Sequence, residues 1–363
     1  MDAETRPKIC DLFDEMLARK ASDLHLGVGY PPLVRQRGDL VPIRELPIDR
    51  DEMESLLFEI VTDAQKAHIV SELDLDFAYA YGKKARFRAN YMYKSTGLAA
   101  VFRVIPTKVL TLAELGTPKA LEVLSDRRAG LVLVTGPTGS GKSTTLAAMI
   151  SHINSSRACH ILTIEDPVEF VHESIKAQVT HREIGTHAPN FATAMRSAGR
   201  EDPNVILIGE LRTNETMKLA LQLASFGVLV FATVHTNSAA ATIERIVNAF
   251  PADEQPQIRG MLAESLSGIV AQQLLKTADG QGRIAAHEIL IGTPAIASQI
   301  REGKTFQIPS LIQAGQNVGM MTMDMSLERL VAQKKITPEA AIEKALDKES
   351  FAKAMGARTD APL

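Results

Sequence analysis

One segment constrains the fold of this chain more than any other: it reads Gly136-Pro137-Thr138-Gly139-Ser140-Gly141-Lys142-Ser143. It matches G-x-x-x-x-G-K-[ST] at every fixed position. A short apolar run, 131–134, precedes the segment, and a stretch with helical character, 144–153, follows it. A strand, a glycine-rich loop and a helix in this order predict a phosphate-binding loop inside an α/β domain.

The predicted loop assigns chemistry to its parts. Its glycines let backbone N–H groups turn toward an anion, and the following helix directs its positive end at the same place. Lys142 supplies a cation for the β- and γ-phosphates, and the Ser143 hydroxyl is placed for Mg²⁺. We therefore expect ATP and Mg²⁺ to be held by nine consecutive residues: Gly136, Pro137, Thr138, Gly139, Ser140, Gly141, Lys142, Ser143 and Thr144.

Two acidic groups follow other apolar runs. The run 205–208 leads into Gly209 and Glu210, and we predict Glu210 as the catalytic carboxylate, beside the magnesium and the attacking water. Glu165 follows the run 159–164, where α/β sheets place ligands. It could hold metal-bound water or share general-base work with Glu210. For Asp166 and Glu169, an acidic helix-capping turn beside Pro167 is an alternative.

Two kinds of basic side chain complete the candidates. His235 ends a third strand pattern, 229–234, and is a candidate sensor of the γ-phosphate. Arg86 and Arg88 alternate on one predicted strand and so face one side, and Arg103 lies on the next strand. Guanidinium groups suit phosphate contact, but from the residues alone a solvated cationic sheet face is the simpler interpretation.

Composition limits the classes of protein that fit. The formal net charge of the 363 residues is −3, from 40 basic and 43 acidic side chains, and there is no tryptophan, so a nucleic-acid motor is disfavoured. Cys10 and Cys159 form neither a C-x-x-C pair nor a zinc spacing, which is typical of a reducing compartment. We find no signal-peptide core and no apolar run of membrane-spanning length, and we expect a cytoplasmic protein without a transmembrane segment.

The pattern along the chain predicts two domains. Residues 1–105 suggest a small α+β domain with an antiparallel sheet, built from helices at 9–18 and 51–69 and from alternating strands. Residues 106–117 form the predicted linker. Residues 118–363 alternate apolar strands with helices, as in a largely parallel sheet, and are expected to turn mostly helical beyond Pro251, with a helix at 257–275.

These motifs together resemble the secretion and type IV pilus motor ATPases, and within them the retraction ATPases, over nearly the whole chain. Besides the phosphate loop, seven segments are similar to family motifs. They are Ser22–Leu26 as an opening strand, Arg86–Asn90 as an arginine-bearing strand, Ile164–Pro167 as an "Asp box", Gly209–Arg212 as a Walker B segment, Thr233–Ser238 as a "His box", and Ile300–Lys304 and Gly319–Asp324, which together are similar to a C-terminal signature.

The resemblance implies more than the residues do. It implies an α/β protein with a PAS-like N-terminal domain and a RecA-like ATPase domain with a helical C-terminal part. It implies a homo-hexameric ring, peripheral at the cytoplasmic base of an inner-membrane pilus machine, that acts on the platform protein in pilus retraction and twitching motility. ATP would sit between subunits, so Arg86, Arg88 and Arg103 become candidate contacts supplied by a neighbour. Direct binding of nucleic acid is not implied.

The chain also departs from the family pattern. Thr213 and Asn204 stand where the family has Asp, Phe226-Gly227-Val228 stands for Thr-Gly-His, and Ala295-Ile296-Ala297-Ser298 stands for Ala-Ile-Arg-Asn. The last motif is tied to retraction in the family. An alternative is therefore a weakly hydrolysing, nucleotide-binding paralogue that regulates or assists an active pilus ATPase. A third interpretation, an extension or secretion ATPase, is disfavoured because a longer N-terminal region and a four-cysteine zinc module are expected there.

Overall fold

The computed structural model describes residues 6–36, 38–82, 84–105, 108–346 and 348–354. The chain forms two compact units. The first contains the described residues up to Lys108 together with Asp166–Val171, and the second contains Val109–Glu165 and the described residues from His172 onward. Of the predicted linker, Pro106 and Thr107 lie outside the described residues.

The first unit is a six-stranded antiparallel sheet with helices, in the strand order β3-β2-β1-β6-β5-β4. Alternation explains it: along β5, Ala85, Phe87, Ala89 and Tyr91 are buried and the residues between them are half-buried. Phe13 of α1 stacks on Phe87 at 4.3 Å between ring centroids. The elements are α1 Ile9–Ala18, β1 Asp23–Gly27, β2 Leu33–Gln36, β3 Asp39–Pro42, α2 Arg50–Phe58, α3 Asp63–Glu72, β4 Asp74–Tyr81, β5 Ala85–Lys94 and β6 Gly97–Ile105.

The prediction of one helix across 51–69 is wrong, because the chain forms α2 and α3 there. Thr62 separates them. Its side chain accepts a hydrogen bond from the Gln65 backbone, while the Gln65 side chain accepts one from the Thr62 N–H, which is a capping box. This local start signal outweighs the helical periodicity that runs across it.

The second unit contains a seven-stranded sheet in the order β13-β12-β7-β11-β10-β8-β9. All neighbouring pairs are parallel except β12 and β13. The four central strands are nearly or fully buried, as expected of a sheet with helices on both faces. The strands are β7 Gly130–Thr135, β8 His160–Glu165, β9 Gln178–Glu183, β10 Val205–Ile208, β11 Leu229–Val234, β12 Leu266–Lys276 and β13 Arg283–Ile291.

Helices connect and cover these strands. They are α4 Ala120–Ser125, α5 Lys142–Ser156, α6 Phe191–Ala198, α7 Asn214–Ser225, α8 Ala239–Asn248, α9 Gln255–Ser265, α10 Pro294–Glu302, α11 Ile308–Ala314, α12 Met323–Ala332, α13 Pro338–Lys344 and α14 Lys348–Ala354, with short 3-10 helices at Thr305–Gln307 and Gly315–Val318. Within the described ranges, no helix has the length and apolar character needed to cross a membrane.

The prediction of a mostly helical region beyond Pro251 needs two corrections. The predicted helix 257–275 ends as α9 at Ser265, and the chain continues as strand β12, which pairs with β7. Strand β13 was not predicted, and neither was β9 at the other edge of the sheet. Strand β12 pairs with β7, more than a hundred residues earlier in the chain, whereas β13 pairs with β12 and β9 pairs with β8. In each strand the local pattern was ambiguous, and pairing with a partner strand determined the outcome.

Candidate active site

The four central strands bring the predicted residues of the second unit to one edge of the sheet. Strands β7, β11, β10 and β8 are consecutive neighbours and run parallel, so their carboxyl ends share an edge. Strand β7 ends directly before the glycine-rich loop, and β8 ends at Glu165. His235 is the first residue after β11, and Glu210 is the second residue after β10. Such an edge is where open α/β sheets bind ligands.

Helix α5 begins at Lys142, directly after the loop. The Lys142 side chain is buried, and its Nζ donates to the carbonyl oxygens of Gly136 at 2.9 Å and Pro137 at 3.1 Å. A buried ammonium needs such acceptors, because an uncompensated charge away from water is costly. The loop therefore wraps around its own lysine at the amino end of a 15-residue helix.

A chain of polar contacts connects the loop to the predicted catalytic acid. Lys142 Nζ lies 3.5 Å from His235 Nδ1, and His235 Nε2 lies 3.2 Å from Glu210 Oε1. The second Glu210 oxygen, Oε2, accepts from Arg212 Nε at 2.8 Å. Because an ammonium only donates, Nδ1 accepts and Nε2 carries the proton that His235 donates to Glu210. His235 thus connects Lys142 and Glu210 through its two ring nitrogens.

Backbone bonds fix the position of this acid. Gly209 N–H donates to Ile164 O at 2.9 Å and Leu211 N–H donates to Thr233 O at 3.0 Å. The Thr233 hydroxyl donates to Gly209 O at 2.5 Å. Glu210 is therefore held on both sides by its neighbouring strands, and Glu165 lies buried at the end of β8.

The residues present suit a magnesium-bound nucleoside phosphate as substrate. The Ser140 Oγ atom is buried and has no hydrogen-bond partner within the described part of the chain, so the loop presents a polar atom in addition to its amides. Ser143, half-buried in the first turn of α5, carries the hydroxyl expected to reach Mg²⁺, which prefers oxygen ligands. Glu210 and Glu165 supply carboxylate oxygens at the same sheet edge.

The three predicted arginines belong to the sheet of the first unit. Arg88 and Arg103 are direct cross-strand partners on β5 and β6, and Arg86 lies on the same face of β5 as Arg88. The Arg88 guanidinium binds Asp76, with Nε 3.1 Å from Oδ2. Arg103 Nε binds Asp23 Oδ1 at 2.8 Å. Although burial opposes it, hydrogen bonds from Ser22 and Arg103 lower the pKa of Asp23.

Two residues near the loop were not predicted from the pattern. Arg212, which holds Glu210, was quoted only as part of a family motif. Gln272, on β12, is buried and hydrogen-bonds both Ser140 and Thr145. No local signal marks Gln272, because its partners are more than a hundred residues away in the chain.

Two departures from the family pattern have clear structural roles. The Thr213 side chain caps α7 by accepting from Thr216 N, as an aspartate would. The Asn204 side-chain oxygen accepts from His160 N at 2.8 Å, at the start of β8.

The other two departures combine exposed and partly buried residues, because Val228 and Ala297 pack against the core of the second unit. Phe226 is 83% exposed at the turn before β11. Ala297 of α10 lines a groove of about 380 Å³ between α9 and α10.

The fold and the site define an α/β protein with a glycine-rich loop, an acid and a histidine at the carboxyl edge of a mainly parallel sheet. Residues 5–348 match the family model described as "Type II/IV secretion system protein". The chain belongs to this family, which confirms the resemblance inferred from its motifs.

Comparisons with individual proteins agree. The chain is 51% identical over 331 residues to the "Type IV pilus retractation ATPase PilT" of Pseudomonas aeruginosa, covering 91% of this chain and 96% of the relative. It is 49% identical to a "Twitching motility protein" of Neisseria gonorrhoeae, covering 88% of this chain and 86% of the relative.

A more distant relative and a solved structure complete the comparison. The chain is 37% identical to the "Type IV pilus ATPase PilU" of Pseudomonas aeruginosa, covering 90% of this chain and 86% of the relative. The crystal structure of the "Pilus Retraction Motor PilT and Bound ADP" superimposes with a TM-score of 0.88 at 40% identity, covering 96% of this chain and all of the other.

Proposed function

We propose that this protein is an ATP-hydrolysing motor subunit of a type IV pilus machine, of the retraction type. The observation that carries the proposal is the contact chain from the phosphate-loop lysine through His235 to Glu210. This contact chain joins the lysine proposed to bind the phosphates to the acid proposed to position water, which supports a single nucleotide site. The relatives named as a retraction ATPase and a twitching motility protein support the same function.

In the proposed reaction, MgATP is the substrate. The loop amides and Lys142 bind the β- and γ-phosphates, and Lys142 stabilises the charge that develops as the γ-phosphoryl group leaves. The Ser143 hydroxyl and the Glu210 carboxylate would hold the Mg²⁺ of the bound MgATP. Glu210, oriented by Arg212 and His235, positions the attacking water, and Glu165 assists from the next strand end.

The proposal extends to assembly. A ring of six identical subunits would place each nucleotide between neighbours, where Arg86, Arg88 or Arg103 of an adjacent subunit would add transition-state charge stabilisation. We further propose that the first unit is a PAS-like domain, that the second is RecA-like, and that the ring acts at the inner-membrane base of a pilus on its platform protein. A paralogous pilus ATPase is a possible additional partner.

The alternative is a weakly hydrolysing paralogue that assists an active motor. The changes at Phe226–Val228 and Ala297 motivate it, since they replace a histidine and an arginine of the family pattern. Thr213 gives it little support, because it keeps the helix cap. The two functions differ in intrinsic turnover, which decides between them.

The first test is steady-state ATP hydrolysis by the purified oligomer beside Lys142→Ala and Glu210→Gln. We expect Lys142→Ala to lose both binding and turnover, and Glu210→Gln to keep MgATP binding but lose turnover by about a hundredfold or more. The matched controls are Lys218→Ala and Glu254→Gln. Each removes the surface ion pair between Lys218 of α7 and Glu254, and both variants should hydrolyse ATP normally.

The outcomes are distinct. Unchanged hydrolysis in Glu210→Gln would contradict the catalytic assignment, and unchanged hydrolysis in Lys142→Ala would contradict the phosphate loop. Absence of turnover in the unmodified protein, with nucleotide still bound, would favour the regulatory paralogue.

A further inference from the structure

Gln272 is a buried polar side chain that the proposed mechanism does not use. It lies on β12, beside the strand that feeds the phosphate loop, and Ala271 pairs in parallel register with Thr135, the last residue of β7. Only 2% of Gln272 is exposed. A buried amide is costly unless both its ends are hydrogen-bonded, so its partners indicate why it is there.

Both ends of the amide are bound to the loop and the helix that follows it. Gln272 Nε2 donates to the carbonyl oxygen of Ser140 at 2.6 Å. The Thr145 hydroxyl donates to Gln272 Oε1 at 2.7 Å. One side chain therefore connects the last part of the loop to the first turns of α5, from a strand that belongs to neither.

The bond to Ser140 has a consequence for the next amide. In a trans peptide, the carbonyl of one residue and the N–H of the next point in opposite directions. Because the Ser140 carbonyl is turned toward Gln272, the Gly141 N–H is turned away from β12. Gln272 thus sets the direction of a backbone donor at the amino end of α5, where such donors bind phosphate.

The loop glycines show how closely the two segments fit. A Cβ atom on Gly136 would lie 2.3 Å from the Gln272 carbonyl oxygen, and one on Gly141 would lie 2.9 Å from Gln272 Nε2. Both glycines also have positive φ, +145° and +88°. The backbone and the side chain of Gln272 therefore form a surface against which the loop is shaped.

We propose that Gln272 is a positioning residue for the nucleotide phosphates, acting through Ser140 and Thr145. The inference rests on the proposed function of the phosphate loop and adds a residue to it. Gln272 holds the loop in the conformation that binds phosphate, so that the bound nucleotide does not have to order the loop.

The test compares Gln272→Met, which keeps the size but removes both hydrogen bonds, with Gln273→Met. Gln273 is the neighbouring residue of the same strand, on its opposite face and only half-buried. The full-length oligomer is titrated with MgADP, and KM, kcat and the thermal midpoint without nucleotide are measured. We expect Gln272→Met to weaken MgADP binding and raise KM about tenfold, with a smaller change in kcat. Gln273→Met should match the unmodified protein.

A second pair of variants keeps the test decisive if Gln272→Met fails to fold. Thr145→Val removes one of the two hydrogen bonds and should weaken MgADP binding about threefold, whereas Thr145→Ser keeps the hydroxyl and should bind normally. If Gln272 acts through Thr145, combining Thr145→Val with Gln272→Met should add less than the sum of the two effects.

Two results would overturn the proposal. One is a lower thermal midpoint in Gln272→Met with unchanged MgADP affinity, which would make Gln272 a purely structural residue. The other is equal MgADP affinity in Thr145→Val and Thr145→Ser. Lys142→Ala distinguishes a failure of this proposal from a failure of the proposed function. If Lys142→Ala loses MgADP binding and the Gln272 and Thr145 variants do not, the phosphate-loop assignment stands and only the role of Gln272 is wrong.

Discussion

At the scale of single residues, the contacts of His235 refine its predicted role. As a residue at a strand end it was a candidate γ-phosphate sensor. Its ring lies between Lys142 and Glu210, and its proton is directed at the carboxylate. A histidine in this position can transmit the state of the proposed phosphate site to the acid that we propose orients water. This positioning role deepens the sensor hypothesis.

His235→Ala should therefore separate turnover from binding. We expect kcat to fall about a hundredfold, because Glu210 loses one of its two orienting contacts, while MgADP affinity changes less than about threefold. Steady-state kinetics and MgADP titration measure the two quantities. The control is His152→Ala, which removes a half-exposed histidine paired with Asp126. If His235→Ala loses MgADP affinity by as large a factor as it loses kcat, His235 binds nucleotide instead.

Residues differed in how far the sequence revealed them. Lys142, Glu210 and His235 each follow a strand pattern and carry a recognisable local context, so their approach at one sheet edge was predictable. The role of Gln272 was not, since it depends on bonds to residues 127 and 132 positions away. The pair Gln272-Gln273 in an otherwise apolar run has no local feature that predicts such contacts.

At the scale of elements, β12 and β13 are where the sequence pattern was least informative. They supply Gln272 and, as its cross-strand partner, His287. His287 is 3% exposed, and its backbone N–H donates to Ser326 of α12. Burial, aided by the positive charge of Arg329, lowers the pKa of His287 to about 4.

This buried histidine predicts a pH dependence of stability. Its pKa is lower in the folded state than its ordinary value of 6.5, so the unfolded chain binds more protons between these values. The free energy of unfolding should be highest above pH 6.5 and should fall by up to about 3 kcal/mol as the pH drops to 4. His172, whose pKa burial also lowers to about 4, adds a contribution of the same sign.

The variant His287→Leu isolates the contribution of this residue. We measure the free energy of unfolding by urea denaturation at pH 6.5 and pH 4.5. Between these two pH values, it should decrease less in His287→Leu than in the unmodified protein. His68→Gln, which changes an exposed histidine of α3, should leave the slope unchanged. Parallel pH slopes for His287→Leu and the unmodified protein would contradict the prediction.

At the scale of the whole molecule, the proposed ring makes each active site depend on two subunits. Lys142 belongs to the second unit, and Arg86, Arg88 and Arg103 belong to the first. Arg88 and Arg103 already have carboxylate partners, Asp76 and Asp23, in their own sheet. A catalytic arginine from a neighbour would therefore have to exchange or share its partner when MgATP binds.

Mixing inactive subunits tests this arrangement. Each arginine is changed to alanine, and a variant that is inactive alone is mixed with Lys142→Ala. If the site is shared, random mixing in equal amounts gives about a quarter of the interfaces an intact Lys142 from one subunit and an intact arginine from its neighbour. Hydrolysis should return in proportion. Arg19→Ala, which changes an exposed arginine that caps the end of α1 and pairs with Glu15, is the control for surface arginines. No recovery despite demonstrated subunit exchange would contradict a shared site.

What the sequence determined by itself was local: the glycine-rich loop between a strand and a helix, the central strands and the family, because each depends on residues close together in the chain. The tertiary structure decided the rest. Pairing with β7 made a strand of a segment with a helix-like pattern, and bonds across more than a hundred residues gave Gln272 its place. Such pairing depends on which distant segments meet in the folded core, and the local pattern of one segment does not contain that information.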